Sequence, residues 1–543
     1  MTRGRSMNSH TDTSEPRAIL LCAALLVLTF APAGVRGEVL VIQSSAVHVG
    51  DGRVLTNASV VVQDGRITAV GPNVAAPPGA TVIELDGGSV SPGLIDANAV
   101  VETVDLLPTP PPDPRRAFGE WITAAVRRRR SHSHGAPHAD VDDRLARWTD
   151  PRAAAAERGY LPHGSADGSA IDSEAAERAR FIATFVDGSG IDPDAEDHVL
   201  CPVCGGGAAS PFEAGVRPYY SWAEQSAEVI PHTDVLDAVD LRGPDFDRLL
   251  HAGVTTVFLS PDPASVIGSA GAIVHTGGPL HERVVSHKDA VKAVIGSEPS
   301  WRGGNNRPPW FSNVTIFSRR PNNRMGLTWV FRKAFHDADR DARDMPVYGA
   351  DVPPQEAMQA LQDIRSGVTP LRIQARMVHD ITTACRMADE FGITFTLEEA
   401  TDAYKCVELL KSRGLSVIYG PIYEEADAPR AWTGETADAR LHTIRTLVEA
   451  GIPTALSAQD RRDEDGLARQ AMMAMRFGVP PQEALKLVTS APAKILGLAD
   501  RLGTVEVGKQ ADLVLWSGAP LEATSKPVVV IVNGRIVLDR RSG

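Results

Sequence analysis

Two turn signals near opposite ends of the chain limit what it can fold into. Asp64-Gly65 separates Val60-Val61-Val62-Gln63 from Arg66-Ile67-Thr68-Ala69-Val70, and Asn533-Gly534 separates Val528-Val529-Val530-Ile531-Val532 from Arg535-Ile536-Val537-Leu538. Asp-Gly or Asn-Gly between apolar runs marks a two-residue β-hairpin, because its turn needs two residues at positive φ. Val39-Leu40-Val41-Ile42 and Ala511-Asp512-Leu513-Val514-Leu515-Trp516 add a strand at each end. Hairpin-rich ends around a long middle predict one small β domain assembled from both, residues 38–89 and 500–543.

The middle has a different rhythm. Thr255 to Leu259, Leu371 to Ile373, Thr394 to Leu397, Ser416 to Tyr419 and Thr454 to Ser457 are short apolar strands, separated by helical patterns such as Ile381 to Phe391 and Ala403 to Arg413. This βα alternation predicts an α/β class with helices outside a parallel sheet or barrel, over residues 90–105 and 218–499. In a barrel, functional residues sit where strands end and βα loops begin. His275 ends a candidate strand, which would place it at that mouth. Residues 106–217 break the rhythm with a Pro-rich opening, the run Arg127 to Arg130 and many Gly, Ser, Asp and Ala, and read as a partly disordered insertion. His132, His134 and His138 within it read as a solvated loop rather than a metal site.

Charge and targeting narrow the partners. With 55 basic and 68 acidic side chains the formal net charge is −13, which argues against nucleic acid and anionic membrane as partners. Arg3, Arg5 and Arg17 precede the apolar run Ala18 to Ala31, with Val35 and Gly37 as small residues before a cut at Glu38, so residues 1–37 read as a signal peptide and the protein as exported, periplasmic or extracellular. Apart from Cys22 in that run, the cysteines are Cys201, Cys204, Cys385 and Cys406. Their pairing stays open. Cys201-Pro202-Val203-Cys204 has no second CxxC to complete a zinc ribbon, which favours a small disulfide loop or free thiols. Neither a GxSxG nucleophile elbow nor a GxxxxGK[ST] phosphate loop is present.

Between the first β segment and the alternating region lies Ser91-Pro92-Gly93-Leu94-Ile95-Asp96-Ala97-Asn98-Ala99-Val100, a buried strand running into a turn. Together with Val62 to Gly71, Ala252-Gly253-Val254-Thr255-Thr256, Asn323-Arg324-Met325-Gly326, Ala491 to Leu498 and Leu502 to Val514, it resembles the amidohydrolase superfamily, and specifically its secreted imidazolonepropionase-like branch. The resemblance covers residues 38–105 and 218–540. It implies a (β/α)8 TIM barrel with a β-sandwich formed by both ends. It also implies hydrolysis of non-peptide C–N bonds, in which His and carboxylate ligands hold a divalent metal that supplies a hydroxide nucleophile.

At the positions where the resemblance places metal ligands, this chain departs from the pattern. The His-x-His pair after the first barrel strand is Asn98-Ala99-Val100. The next two histidines are Gln374 and Glu399, and the last-strand aspartate falls on Gln459, with Asp460 beside it. Amide oxygens are weak ligands and valine offers none, so the expectation is a degenerate site, no bound cofactor, and a non-catalytic binding or accessory homologue. Its partner would be a small-molecule ligand or a protein. The resemblance also suggests a homo-oligomer, or a hetero-oligomer with an active paralogue. The alternative is an active hydrolase of small cyclic amides or dipeptides, with Glu399 or Asp460 as general base and an oxygen-rich site holding Zn, Mn or Mg.

Overall fold

The computed structural model describes residues 39–101, 227–302, 321–422, 435–460 and 466–541, apart from positions 73, 262, 322, 350, 351 and 437. Residues 1–37, expected to be a signal peptide, and 106–217, expected to be an insertion, with Cys201, Cys204, His132, His134 and His138, lie outside the described residues.

Strands from the two ends form one sheet. The first four are β1 (Leu40–His48), β2 (Val54–Gln63), β3 (Arg66–Pro72) and β4 (Thr81–Pro92). They join β13 (Leu513–Trp516), β14 (Pro527–Val532) and β15 (Arg535–Asp539) in the order β15-β14-β13-β4-β1-β2-β3. Both hairpin turns have the backbone that their residues require. Asp64 and Gly65 lie at φ 51° and 76°, and Asn533 and Gly534 at 50° and 74°. The sheet coils until these two tips meet. Ala511 N donates to Gly65 O (2.8 Å) and Gly534 N donates to Ala511 O (2.9 Å). The coil encloses a core of Ile42, Val60, Val62, Ile67, Val90, Leu513 and Ile531.

Pro92-Gly93 carries the chain from this sheet into the barrel. Gly93 N donates to Asp512 O (2.8 Å), and the next residue, Leu94, takes Gly253 O (3.0 Å). A Cβ on Gly93 would lie 2.1 Å from Thr255 Oγ1, so only glycine fits the crossing.

The barrel sheet contains β5 (Leu94–Ala99), β6 (Val254–Leu259), β7 (Ile267–His275), β8 (Val284–Val294), β9 (Leu371–Ala375), β10 (Phe395–Glu399), β11 (Val417–Tyr419) and β12 (Thr454–Leu456), neighbours in that order. The architecture is thus α/β, with a nearly closed eight-stranded barrel sheet. It departs from the uniform (β/α)8 pattern at β7, which runs antiparallel to both β6 and β8. The links 260–266 and 276–283 are too short for the dozen or more residues of a parallel crossover. This reversal corrects the expectation for His275. Its strand ends at the barrel's bottom, where His275 meets Thr256 (3.1 Å), Gln510 (2.9 Å) and Asp512 (3.3 Å) at the junction with the first sheet.

Between β12 and β5 side chains complete the closure. The Asp96 carboxylate accepts Asn98 N through Oδ1 and Ala458 N through Oδ2, each at 3.0 Å. Ser457 Oγ donates to Asn98 O (2.9 Å), and Val100 N donates to Gln459 O (3.0 Å). The lumen's apolar floor is Ile95, Ala97, Phe258, Ile273, Ile418 and Ala455, plugged by Ala493 and Leu496. Outside, Phe331, Phe335, Leu361, Met387 and Phe391 from the surrounding helices pack on the barrel wall. The helical pattern at Ala403 to Arg413 divides into a 3-10 turn, Ala403–Lys405, and a helix, Val407–Ser412, joined at Cys406. Among the described residues no helix is long and apolar enough to cross a membrane.

The meeting of the hairpin tips yields a stability prediction. A Cβ on Gly534 would lie 2.5 Å from Gly65 Cα, and its φ of 74° already disfavours an L side chain. Gly534→Ala is therefore expected to cost about 2 kcal/mol or more in urea unfolding, the sum of left-handed strain and a backbone clash. A midpoint equal to the parent's would contradict this packing.

Candidate functional site

The strand ends that point away from the composite sheet carry two buried charge networks. The deeper one crosses the lumen. Lys292 on β8 pairs with Arg372 on β9, and Gln374 pairs with Glu398 on β10. Alternate residues of a strand share a face, so Arg372 and Gln374 point the same way. Arg372 shows that this way is inward. It donates through Nη2 across the barrel to Ala97 O of β5 and through Nε to Glu398 Oε1. Its guanidinium carbon lies 3.6 Å from the centre of the Phe258 ring, a cation–π contact on the apolar floor. Lys292 Nζ reaches the other Glu398 oxygen at 3.2 Å and donates to Ser260 Oγ at 2.9 Å. Lys292 and Arg372 are 3% exposed and Glu398 is 0% exposed. Burial pushes the Arg372 guanidinium below its usual value, against the opposing pull of Glu398, Asp289 and Asp96.

The second network lies at the rim. Arg376 follows β9 and is 1% exposed. Its Nε and Nη2 lie 2.6 Å from Glu399 Oε2, while Nη1 holds Glu435 Oε2 at 3.2 Å and also contacts Glu298. Glu435 also accepts from Ser297 N (2.8 Å) and from Arg324 Nη2 (2.7 Å). Arg324 binds Asp380 bidentately at 2.6 and 2.7 Å, and this carboxylate raises the guanidinium pKa above its ordinary value. Local sequence places Arg324. Asn323 caps the helix Arg324–Asp341 by accepting Met325 N (3.0 Å) and Gly326 N (3.1 Å), which puts Arg324 in the first helical position.

The sequence-derived site residues fall around these networks. Between Asp96, opposite Val257, and Ala99, opposite Leu259, both Ala97 and Asn98 face the single residue Phe258, so β5 bulges there. Asn98 is 1% exposed, and its Oδ1 has no hydrogen-bond partner. Gln374 is equally buried, and neither its Oε1 nor its Nε2 is hydrogen-bonded. Val100 is half-buried at the seam. Gln459 turns its amide away to Gly420 O (3.0 Å). Asp460 follows it, partly exposed. Seam hydrogen bonds bring Asn98, Val100 and Gln459 together, whereas Glu399 belongs to the Arg376 network. Glu399, Ala400 and Gln459 adopt positive φ of 65°, 42° and 53°, a strained conformation for residues other than glycine.

These residues do not fit a divalent metal. Val100 has no donor atom, Asn98 and Gln374 offer neutral amides, Gln459 is engaged with backbone, and Glu399 is held by a guanidinium. Among the described residues no group of three or more His, Cys, Asp or Glu side chains is placed to hold a metal ion. Sequence reasoning missed Lys292, Arg372, Glu398, Arg376, Glu298, Glu435, Arg324 and Asp380. Arg372 and Glu398 had a signal: each is a charge inside a short strand, where a two-sided barrel strand normally reads as continuous Val, Ile and Leu. The rim residues come from separate loops and helices, and nothing local announces their pairing.

Three comparisons place this geometry among known proteins. Residues 450–538 match a model described as the amidohydrolase family. The chain is 24% identical over 348 residues to amidohydrolase tasK of Hapsidospora irregularis, which covers 58% of this chain and 34% of that protein. It is 29% identical over 271 residues to the imidazolonepropionase of Micrococcus luteus, covering 46% and 62%. It is 53% identical over 115 residues to the 5-methylthioadenosine/S-adenosylhomocysteine deaminase of Desulforudis audaxviator, covering 20% and 26%. The chain thus spans less than two thirds of the length of each of these relatives. A solved amidohydrolase structure from Thermotoga maritima covers 92% of this chain and 100% of its own at a TM-score of 0.63 and 22% identity, a likeness of fold.

The rim network gives a test. Arg376→Met leaves Glu298, Glu399 and Glu435 buried around a vanished cation, and is expected to cost about 3–5 kcal/mol in denaturant unfolding. Glu399→Gln keeps a hydrogen-bond acceptor and is expected to cost much less. Equal losses in the two variants would show that Arg376 is not the centre of the network. Family model and curated relatives together support a relationship of this chain to the amidohydrolase superfamily.

Proposed function

We propose that this chain is an exported, non-catalytic relative of the amidohydrolases, whose barrel mouth binds a small molecule or a protein segment. One observation carries this reading. Every position that the resemblance assigns to a metal ligand either lacks a suitable donor, as at Asn98, Val100 and Gln374, or has its donor engaged, as at Glu399 and Gln459. Metal-hydroxide chemistry needs several anionic or imidazole ligands at one point, and affinity falls steeply as each is lost. A barrel keeps its fold without that chemistry, because its stability comes from core layers while catalysis comes from the strand ends and their loops. The composite domain in this proposal is a β-sandwich in which the coiled sheet supplies both layers.

The strained backbone at Glu399, Ala400 and Gln459 favours a second reading. Strain of this kind clusters at sites where a protein does chemistry. In this reading the chain hydrolyses C–N bonds of small amides, with Glu399 or Asp460 as general base beside a remodelled oxygen-ligand metal site.

Metal analysis separates the two. Purified protein is expected to carry far less than one metal per chain by plasma mass spectrometry. It is also expected to stay inactive on cyclic amides and dipeptides after addition of Zn²⁺, Mn²⁺ or Mg²⁺. Near-stoichiometric metal, lost together with activity in Glu399→Ala, would establish the second reading and overturn the first.

A further inference from the structure

We infer that the Arg372 guanidinium is a resident cation of the barrel lumen, and that it excludes a divalent metal independently of the replaced ligands. The inference rests on the metal-free reading proposed above and names the physical agent behind it. Arg372 does not lie along the wall. It spans the lumen from β9 to Ala97 O on β5, the residue before Asn98. On its own strand it lies one inward step below Gln374. Two of the positions that the resemblance assigns to metal ligands are therefore neighbours, along the chain, of this cation or of its contact: Asn98 follows the residue whose carbonyl Arg372 holds, and Gln374 lies two residues on from Arg372 on the same strand. The charge is held from several sides: Glu398 on its Nε, the Phe258 ring beneath it and the Ala97 carbonyl beyond it. Lys292 adds a second cation on the other oxygen of Glu398.

The electrostatics favour one occupant over the other. Glu398 is buried and faces two monocations, so its charge is already compensated, and Asp289 and Asp96 act on Arg372 as well, favouring its charged form. A divalent ion placed near Ala97 and Gln374 would meet a guanidinium that cannot deprotonate, in a medium that screens poorly. Arg372 Nη1 has no hydrogen-bond partner, and it presents donors rather than lone pairs to the lumen. Restoring imidazoles at the rim would leave this repulsion in place.

The test compares two rebuilt proteins with the parent by zinc titration in equilibrium dialysis. One carries Asn98→His, Val100→His, Gln374→His and Glu399→His. The other adds Arg372→Met. The four-histidine protein is expected to bind zinc no more tightly than the parent, and the addition of Arg372→Met to tighten binding by about 100-fold, the scale on which groups around a metal alter its affinity. One zinc per chain on the four-histidine protein alone, or no gain from Arg372→Met, would overturn the inference. One zinc per chain on the parent would instead overturn the metal-free reading, so the two failures are distinguishable.

A melting experiment covers the case in which the rebuilt chains do not fold. Arg372→Met is expected to lower the thermal midpoint of the parent by several degrees, because Glu398 loses a partner. In a Glu398→Gln background the same substitution is expected to lower the midpoint markedly less, because the cation it removes has already lost its direct carboxylate partner. An equal fall in both backgrounds would show that Arg372 acts through the Ala97 carbonyl and the Phe258 ring and not through Glu398, and would overturn its assignment as the counter-cation of Glu398.

Discussion

The bridge from Arg372 to Glu398 and Ala97 is the constraint on which the interior of this barrel depends. It links β9 to its neighbour β10 and, across the lumen, to β5. Removing charges from water is expensive, and a low-dielectric lumen repays the cost only when partners are close and the remaining polar atoms are satisfied. Phe258, Ser260 and Lys292 supply much of that environment. Once a guanidinium fills the space between opposite strands, the chemistry open to the strand ends changes, because a fixed monocation and a metal dication compete for the same region.

Asp96 plays the complementary part at the seam. In the sequence it looked like the acidic end of a family signature. In the structure it accepts backbone N–H groups from both sides of the gap between the first and last barrel strands. Its role is closure, which gives the segment Pro92 to Asp96 a structural purpose separate from any chemistry at Asn98 and Val100. Barrel geometry and metal chemistry use adjacent residues for separable purposes.

Much of the architecture was legible in local patterns. Asp64-Gly65 and Asn533-Gly534 have the positive φ values that their residue types foretell. The apolar runs after Thr255, Leu371, Thr394, Ser416 and Thr454 are barrel strands. The strand that local pattern did not give was β8, whose run Val284-Val285-Ser286-His287-Lys288-Asp289 is broken by polar residues, and the hidden property of β7 was its direction, since its antiparallel pairing depends on residues outside its own run. That one reversal moved His275 from the expected mouth to the junction with the first sheet.

The sequence by itself determined the two-ended β sheet and the βα alternation between its halves. These follow from residue type, turn chemistry and short-range periodicity, which need no knowledge of distant contacts. Tertiary structure alone decided what stands in the lumen. Lys292, Arg372 and Glu398 lie far apart in the chain, as do Glu298, Arg324, Arg376, Glu399 and Glu435. Ion pairing depends on distance in space and on burial. Only the closure of the strands into one barrel brings these charges together out of water, where each must be paired.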